Sequence, residues 1–276
     1  PHQGAEDGPR ERGGGGMSAR PEQIEPEVGH PAGKELGPRL RRFRFPVDGD
    51  VAADIREKYG YDGAMLAAYA GHSGATIHKW HHYIPLYDRY FARFRHAPVR
   101  FLEIGVGQGG SLSMWRRYFG DSAAIFGIDV RPECAQFDGQ GGHVRIGSQE
   151  DTTFLDEVLD EMGGVDLVLD DGSHRMDHIR ASLKHLFPRV SAGGVYMIED
   201  LHTAYGPNFG GGHAAPANFF NTVRDLFDDM HRWYHDEDTR HPGVGDACSG
   251  IHVHDSMVVL EKDSVHPPVH STVGAK

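Results

Sequence analysis

One run of residues constrains this chain more than any other: Phe101-Leu-Glu-Ile-Gly-Val-Gly-Gln-Gly-Gly110, answered by an acid at the end of Ala124-Ile-Phe-Gly-Ile-Asp129. An apolar stretch that runs straight into clustered glycines predicts a buried strand and a tight turn into a helix, because glycine reaches backbone angles closed to other residues. Gly105 and Gly107 also let a ligand approach the main chain where a Cβ would collide. In a βαβ unit the carboxylate of Asp129 then lies where ribose hydroxyls would sit. These demands point to an open, doubly wound α/β sheet with a nucleoside-bearing ligand at its glycine turn. The spacing Gly105-x-Gly107-x-x-Gly110 alone does not say which ligand, since dinucleotide folds show it too.

The alternation continues downstream. Strands are predicted over 99–105, 124–130, 143–148, 165–171 and 195–200. Helices are predicted from Ser111 and over 152–162, 175–187 and 217–231, with apolar residues at helical spacing such as Ile179, Leu183 and Leu186. Gly193-Gly194 is expected to turn the chain into the strand that begins at Val195. Repeated βα units imply a mostly parallel sheet with helices on both faces. Gly250–Asp263 reads as two strands pivoting at Asp255-Ser256, an antiparallel hairpin at the C-terminal end of the sheet.

Residues 1–46, rich in Gly, Pro, Glu and Arg, read as a disordered or loosely packed segment. Residues 47–97 read as a helical N-terminal lid, with helices at Asp50–Tyr59 and Ile84–Phe94. Between them, Thr76-Ile-His-Lys-Trp-His-His-Tyr83 is either a helix cap with aromatic packing or a flap over the glycine turn. Residues 98–263 form the ligand-binding domain and 264–276 a flexible tail.

The net charge of −12 argues against general affinity for nucleic acid or an anionic membrane. Two cysteines, Cys134 and Cys248, imply no disulfide framework, so a reducing cytoplasm is expected. The 20 histidines are scattered and show no zinc-type spacing.

The next signal is acidic. The fourth strand ends Leu-Val-Leu-Asp170-Asp171-Gly-Ser-His174 and the fifth ends Met-Ile-Glu199-Asp200-Leu-His202. Both ends lie at the carboxyl edge of the sheet, where such folds bind ligands. Adjacent strands are about 4.8 Å apart, so Asp171, Glu199 and Asp200 can share one hard cation such as Mg²⁺. Helix capping is the competing explanation, yet it accounts for one acid per strand end rather than two. His174 opens the following helix beside that cluster. Imidazole titrates near neutrality, which suits a general base; His202 is the rival for the role.

Glu103-x-Gly105-x-Gly107 resembles the acid–glycine signature of class I S-adenosylmethionine (SAM) methyltransferases, and a carboxylate at 103 suits a cationic ligand better than a pyrophosphate. From about Thr76 to Asp263 the chain resembles, more specifically, the SAM- and Mg²⁺-dependent sugar O-methyltransferases of natural-product biosynthesis. The likeness rests on His78-Lys79-Trp80 with His82-Tyr83, on the glycine run through Ser111, on Asp171-Gly-Ser-His174, and on Ile-Glu199-Asp200-Leu-His202. It implies the class I SAM-methyltransferase (Rossmann-like) fold, Mg²⁺ held by Asp171, Glu199 and Asp200, and His174 as the base. It further implies SAM contacts from Glu103, Gly105, Gly107 and Asp129, with Ser148, Gln149 and Asp170 as weaker candidates. The implied acceptor is a deoxysugar in antibiotic biosynthesis, and a homo-oligomer is expected. Macrolide-acting members carry a large N-terminal domain that is not evident in this sequence. A nucleotide sugar such as TDP-rhamnose is therefore the expected acceptor, with a glycosylated macrolide or a catechol-type phenol as alternatives. A nicotinamide oxidoreductase would need a Tyr-x-x-x-Lys relay after the fourth strand, and none occurs there.

Overall fold

A computed structural model describes residues 40–274. Its frame is one seven-stranded sheet in the order β3-β2-β1-β4-β5-β7-β6. The strands are β1 (Arg100–Ile104), β2 (Ala124–Asp129), β3 (His143–Ile146), β4 (Val165–Asp170), β5 (Val190–Ile198), β6 (Cys248–His254) and β7 (Met257–Lys262). The first five are parallel, and β7 runs antiparallel to both β5 and β6. The hairpin pivots at Asp255-Ser256 as expected, with Ser256 at a φ of 61°. The expected class I methyltransferase architecture is therefore present.

Period-two alternation builds a core on each face. On one side Leu102, Ile104, Val168, Tyr196, Ile198, Val258 and Leu260 pack under α5 (Thr152–Met162), α6 (Met176–Leu186) and α7 (Phe219–Met230). On the other, Phe101, Ile125, Leu167, Leu169, Val195, Met197 and Val259 meet α1 (Val51–Tyr59), α2 (Ala64–Ala70), α3 (Tyr83–Phe91) and α4 (Gly110–Phe119). The region 47–97 thus supplies part of a structural layer, with Ile55, Met65, Tyr83, Ile84, Tyr87 and Phe91 fully or almost fully buried.

Local chemistry sets the helix ends. Asp50 accepts from Ala53 N–H and caps α1, which stops at Gly60 in the left-handed region. Asp151 caps α5 in the same way, and Gly163 ends it.

Several expectations change in detail. Helix α2 was not foreseen, because Ala64–Ala70 is short and lacks a capping side chain. Gly193-Gly194 does not precede the fifth strand but lies inside it; the register shifts there, and Asp166 O approaches too closely for a Cβ at 194. No helix or strand forms over 71–82; His82 is the N-cap residue of α3 and Trp80, His82 and Tyr83 pack ring to ring, as the cap reading expects, while the residues before them form an irregular strap. Residues 40–46 include a single 3-10 turn, with Phe43 edge-on to Trp80 at 6.0 Å and Phe45 edge-on to His81 at 4.7 Å. Residues 264–274 have no regular structure and are largely exposed. The rest of the expected N-terminal segment and of the tail, 1–39 and 275–276, lies outside the described residues. Among the described residues, no helix is long and apolar enough to cross a membrane.

Candidate active site at the carboxyl edge of the sheet

The glycine turn leaves β1 at Gly105, whose φ is 95°, and passes Gly107 at 59° before α4 begins. A Cβ on Gly105 would sit 2.1 Å from the carbonyl oxygen of Asp171. The cofactor-type turn and the acidic strand end are therefore in direct contact. At the end of β2, Asp129 accepts from Gly107 N–H at 3.0 Å and from the backbone and guanidinium of Arg131 at 2.9–3.1 Å. Burial works against its charge, but the Arg131 and Gly107 donors outweigh it and hold the carboxyl below the usual range. Ser148 stands half-buried after β3. Val130 and Ile146 flank Asp129 as exposed apolar side chains, an unusual surface at two strand ends.

Strand parity sorts the acids to opposite faces. Glu103 shares a face with Phe101 and meets α4, where Ser111 Oγ donates to one oxygen at 2.6 Å and Trp115 Nε1 to the other at 3.0 Å. It is wholly buried, and both oxygens are engaged inside the protein. Asp170 shares a face with Val168 and accepts from Ser182, Tyr196 and Gln149. Burial, partly offset by those donors, pushes it up to about 6. Gln149 also accepts from Ser173 N–H through its carbonyl oxygen at 2.9 Å. Thus Glu103, Asp170 and Gln149 sit at the expected strand ends, but as internal brackets beneath the glycine turn and the 171–174 loop.

Asp171 and Glu199 share the other parity with Leu169 and Met197, so they project toward the N-terminal layer. There Lys79 on the strap donates to Asp171 Oδ2 at 2.6 Å and to Glu199 Oε1 at 2.5 Å. Tyr87 on α3 donates to the second Glu199 oxygen. Tyr83, also on α3, donates to Asp200 Oδ1 at 2.9 Å and accepts from Asp200 N–H at 3.1 Å. Asp200 leaves the strand geometry with a φ of 58°, which swings its carboxylate toward Asp171. His174, φ 55° and almost fully buried, places Nε2 3.8 Å from Asp171 Oδ1 and 3.9 Å from Asp200 Oδ2. Two non-glycine residues in this region cost on the order of 1–3 kcal/mol each, and both fall at the same site. One ligand-type atom each from Asp171, His174 and Asp200 lie within 4.8 Å of one another.

The electrostatics reflect crowded like charge. Burial raises Asp171 to about 6, against the pull of Lys79 and with the push of Asp200. Burial and the neighbouring Asp171 drive Glu199 well above the usual carboxylate range, although Lys79 opposes them. Burial would discharge Lys79, yet Asp171, Glu199 and Glu103 together keep its ammonium strongly protonated. His202, the rival base, stacks edge-on against Trp80 at 5.5 Å, and its Nδ1 contacts Ser256 Oγ at 2.7 Å.

The structure therefore gathers Asp171, His174 and Asp200 at one point, with Glu199 engaged by Lys79 and Tyr87. Sequence reasoning missed Lys79, Tyr83 and Tyr87 as site residues. A lysine embedded in a histidine–tryptophan run was a visible signal for the first. The two tyrosines look like any other members of the apolar face of α3.

Comparison with known proteins gives consistent matches. A family model described as "Methyltransferase domain" matches residues 102–201. The 8-demethyl-8-(2-methoxy-alpha-L-rhamnosyl)-tetracenomycin-C 3'-O-methyltransferase of Streptomyces olivaceus is 41% identical over 220 residues, covering 75% of this chain and 56% of that protein. The mycinamicin VI 2''-O-methyltransferase of Micromonospora griseorubida is 38% identical over 195 residues, covering 66% and 48%. A solved methyltransferase of the mycinamycin pathway, MycE, in complex with Mg, SAH and mycinamycin VI, aligns with a TM-score of 0.62 at 31% identity, covering 79% of this chain and 54% of that one. The chain thus spans about half the length of these relatives.

Proposed function

Over its matched region this chain belongs to the natural-product sugar O-methyltransferases, and on that premise we propose that it transfers a methyl group from SAM to a deoxysugar hydroxyl. One observation carries the reading: Gly105 of the cofactor-type turn abuts Asp171 of the acid cluster, so a nucleoside-bound methyl donor and a cation-held alcohol would be neighbours. The curated relatives are named for sugars attached to polyketides and macrolides, which favours a glycosylated polyketide as acceptor. A nucleotide sugar is the alternative.

The donor set suits a hard divalent ion. It is rich in carboxylate oxygen and buried at a strand edge, and burial and like charge raise Asp171 and Glu199 above the usual carboxylate range, a penalty that a bound cation would relieve. Asp171 and Asp200 would hold the ion, with Glu199 behind them. SAM supplies an electrophilic methyl group when bound, and Mg²⁺ a charge that makes an alcohol easier to deprotonate. Asp129 would take the ribose hydroxyls, and Gly105 and Gly107 would leave room for the adenosyl and methionyl backbone contacts. Ser148 would lie beside the base, with Val130 and Ile146 as its apolar walls. Glu103, Gln149 and Asp170 serve that site by bracing it rather than by touching SAM.

His174 Nε2 is the atom that would receive the sugar hydroxyl proton. Thr203 Oγ1 donates to the backbone carbonyl of His174 at 3.5 Å, Phe209 packs edge-on at 6.3 Å, and the side chain is 2% exposed, so the ring is shielded from bulk water. Alignment of acceptor oxygen and methyl group in a dry cleft then supplies much of the acceleration.

His174→Ala should lower kcat by about 10²–10⁴-fold while SAM affinity persists. Mn²⁺ affinity should also hold in that variant, because the residue acts as a base and not as a ligand. A loss under about threefold would transfer the role to His202 or to water. Activity should vanish in EDTA and return with Mg²⁺; full turnover in chelator would remove the metal from the reaction. Screening glycosylated polyketides, TDP-sugars and catechols side by side tests the acceptor class.

A further inference from the structure

The buried ammonium of Lys79 has no role in the reaction just described. It is 3% exposed and reaches two carboxylates that belong to different strands. Its own backbone carbonyl accepts from Tyr69 OH at 3.3 Å, which pins the strap to α2. The Nζ also lies 5.9 Å from the centre of the Tyr87 ring.

We propose that Lys79 is a positioning residue of the metal site: its ammonium stays between Asp171 and Glu199 as a resident counter-ion, and so sets the charge of the ion that the site takes. The inference rests on the metal reading above. Lys79 and Tyr87 between them engage both oxygens of Glu199. Lys79 takes Oδ2 of Asp171, while Oδ1 remains directed at the His174 side, 3.8 Å from Nε2, where Asp200 Oδ2 also arrives. The ammonium therefore occupies one side of the cluster and leaves the other for an added ion.

Three carboxylates and one ammonium carry a formal charge of −2, which one divalent ion neutralises. Without Lys79 the same three acids, ionised around a bound cation, would carry −3 and favour a trivalent ion. Displacing Lys79 into solvent would take from Glu199, fully buried, the ammonium that offsets its charge. That cost argues for an ammonium that remains when the ion binds.

The test uses the full chain and two probe ions, Mn²⁺ followed by electron paramagnetic resonance and Tb³⁺ followed by luminescence. In Lys79→Met the preference for Tb³⁺ over Mn²⁺ should rise by about tenfold or more, since one positive charge has left a site only a few ångströms across. Lys79→Arg, which restores the charge, should stay near the wild-type preference. The double variant Lys79→Met with Glu199→Gln, again at −2, should return toward it. An unchanged preference in Lys79→Met overturns the proposal.

A wild-type measurement stands beside the variants, in case Lys79→Met does not fold. With ¹⁵N-lysine labelling, the Lys79 Nζ signal should remain hydrogen-bonded and slowly exchanging at saturating Mg²⁺. Its collapse onto the signals of exposed lysines would show displacement and overturn the proposal. If the wild type binds neither probe ion, the metal reading itself fails and takes this inference with it.

Discussion

Replacing Trp115 by Phe removes the indole Nε1–H that donates to Glu103 Oε1 over 3.0 Å, and little else. The ring sits fully buried among Tyr87, Phe91, Phe101 and Phe119, with centroids 4.9–5.9 Å away, so a phenyl group keeps most of that packing. Losing a hydrogen bond to a buried carboxyl costs about 1.5–3 kcal/mol. The smaller ring adds about 1–2 kcal/mol for the volume it leaves empty. A total loss of about 2.5–5 kcal/mol is therefore expected, read by urea unfolding with circular dichroism as the signal.

The second half of the cycle isolates the bond. Ser111 and Trp115 lie one turn apart on α4, so both can reach the same carboxyl, and together they clamp that helix to β1 across the glycine turn. In a Glu103→Leu background no acceptor remains, and the cost of Trp115→Phe should shrink by at least about 1.5 kcal/mol. If the single substitution costs less than about 1 kcal/mol, or if the two costs simply add, Glu103 is not a bracket and its carboxyl is available to a ligand after all.

Two further outcomes follow from the same geometry. Gly105→Ala places a methyl group 2.1 Å from the Asp171 carbonyl oxygen at a φ of 95°; it should cost about 3 kcal/mol or more and abolish SAM binding, whereas Gly107→Ala, strained in φ but facing open space, should cost less. Asp170 has a folded pKa of about 6, above its unfolded value. Its contribution to stability is therefore complete below about pH 4 and is lost as pH rises through 6, by about 3 kcal/mol. Asp170→Asn removes this slope, so the variant should gain on the wild type by that amount between pH 4 and 7.5 in urea titrations; a pH-independent difference would refute the assignment.

The fold was legible because its signals are local. Apolar runs of strand length, helical spacing between them, glycines at the first turn and an acid after the second strand each act through neighbouring residues. The strand ends carrying Asp170-Asp171 and Glu199-Asp200 were legible too, since the carboxyl edge follows from the βα order. The task of each acid was not. Strand parity sends Asp170 to Ser182 and Tyr196 but Asp171 to Lys79, and parity matters only once the layers on each face are known. Glu103 reads in the sequence as a cofactor contact through the acid–glycine signature that it forms with Gly105 and Gly107. The partners that engage it come from α4, whose rotation sequence patterning does not specify.

From the sequence alone came the doubly wound sheet, the antiparallel hairpin, the glycine turn and the acidic edge, because each depends on the hydrophobic period and backbone freedom of a few consecutive residues. Only the tertiary structure could decide that Lys79, Tyr83 and Tyr87 enter the acid cluster and that His174 and Asp200 turn into it through left-handed backbone. Those contacts of Lys79, Tyr83 and Tyr87 join residues 92 to 120 positions apart. Such a pairing is made by the packing of whole layers, and no local pattern encodes it.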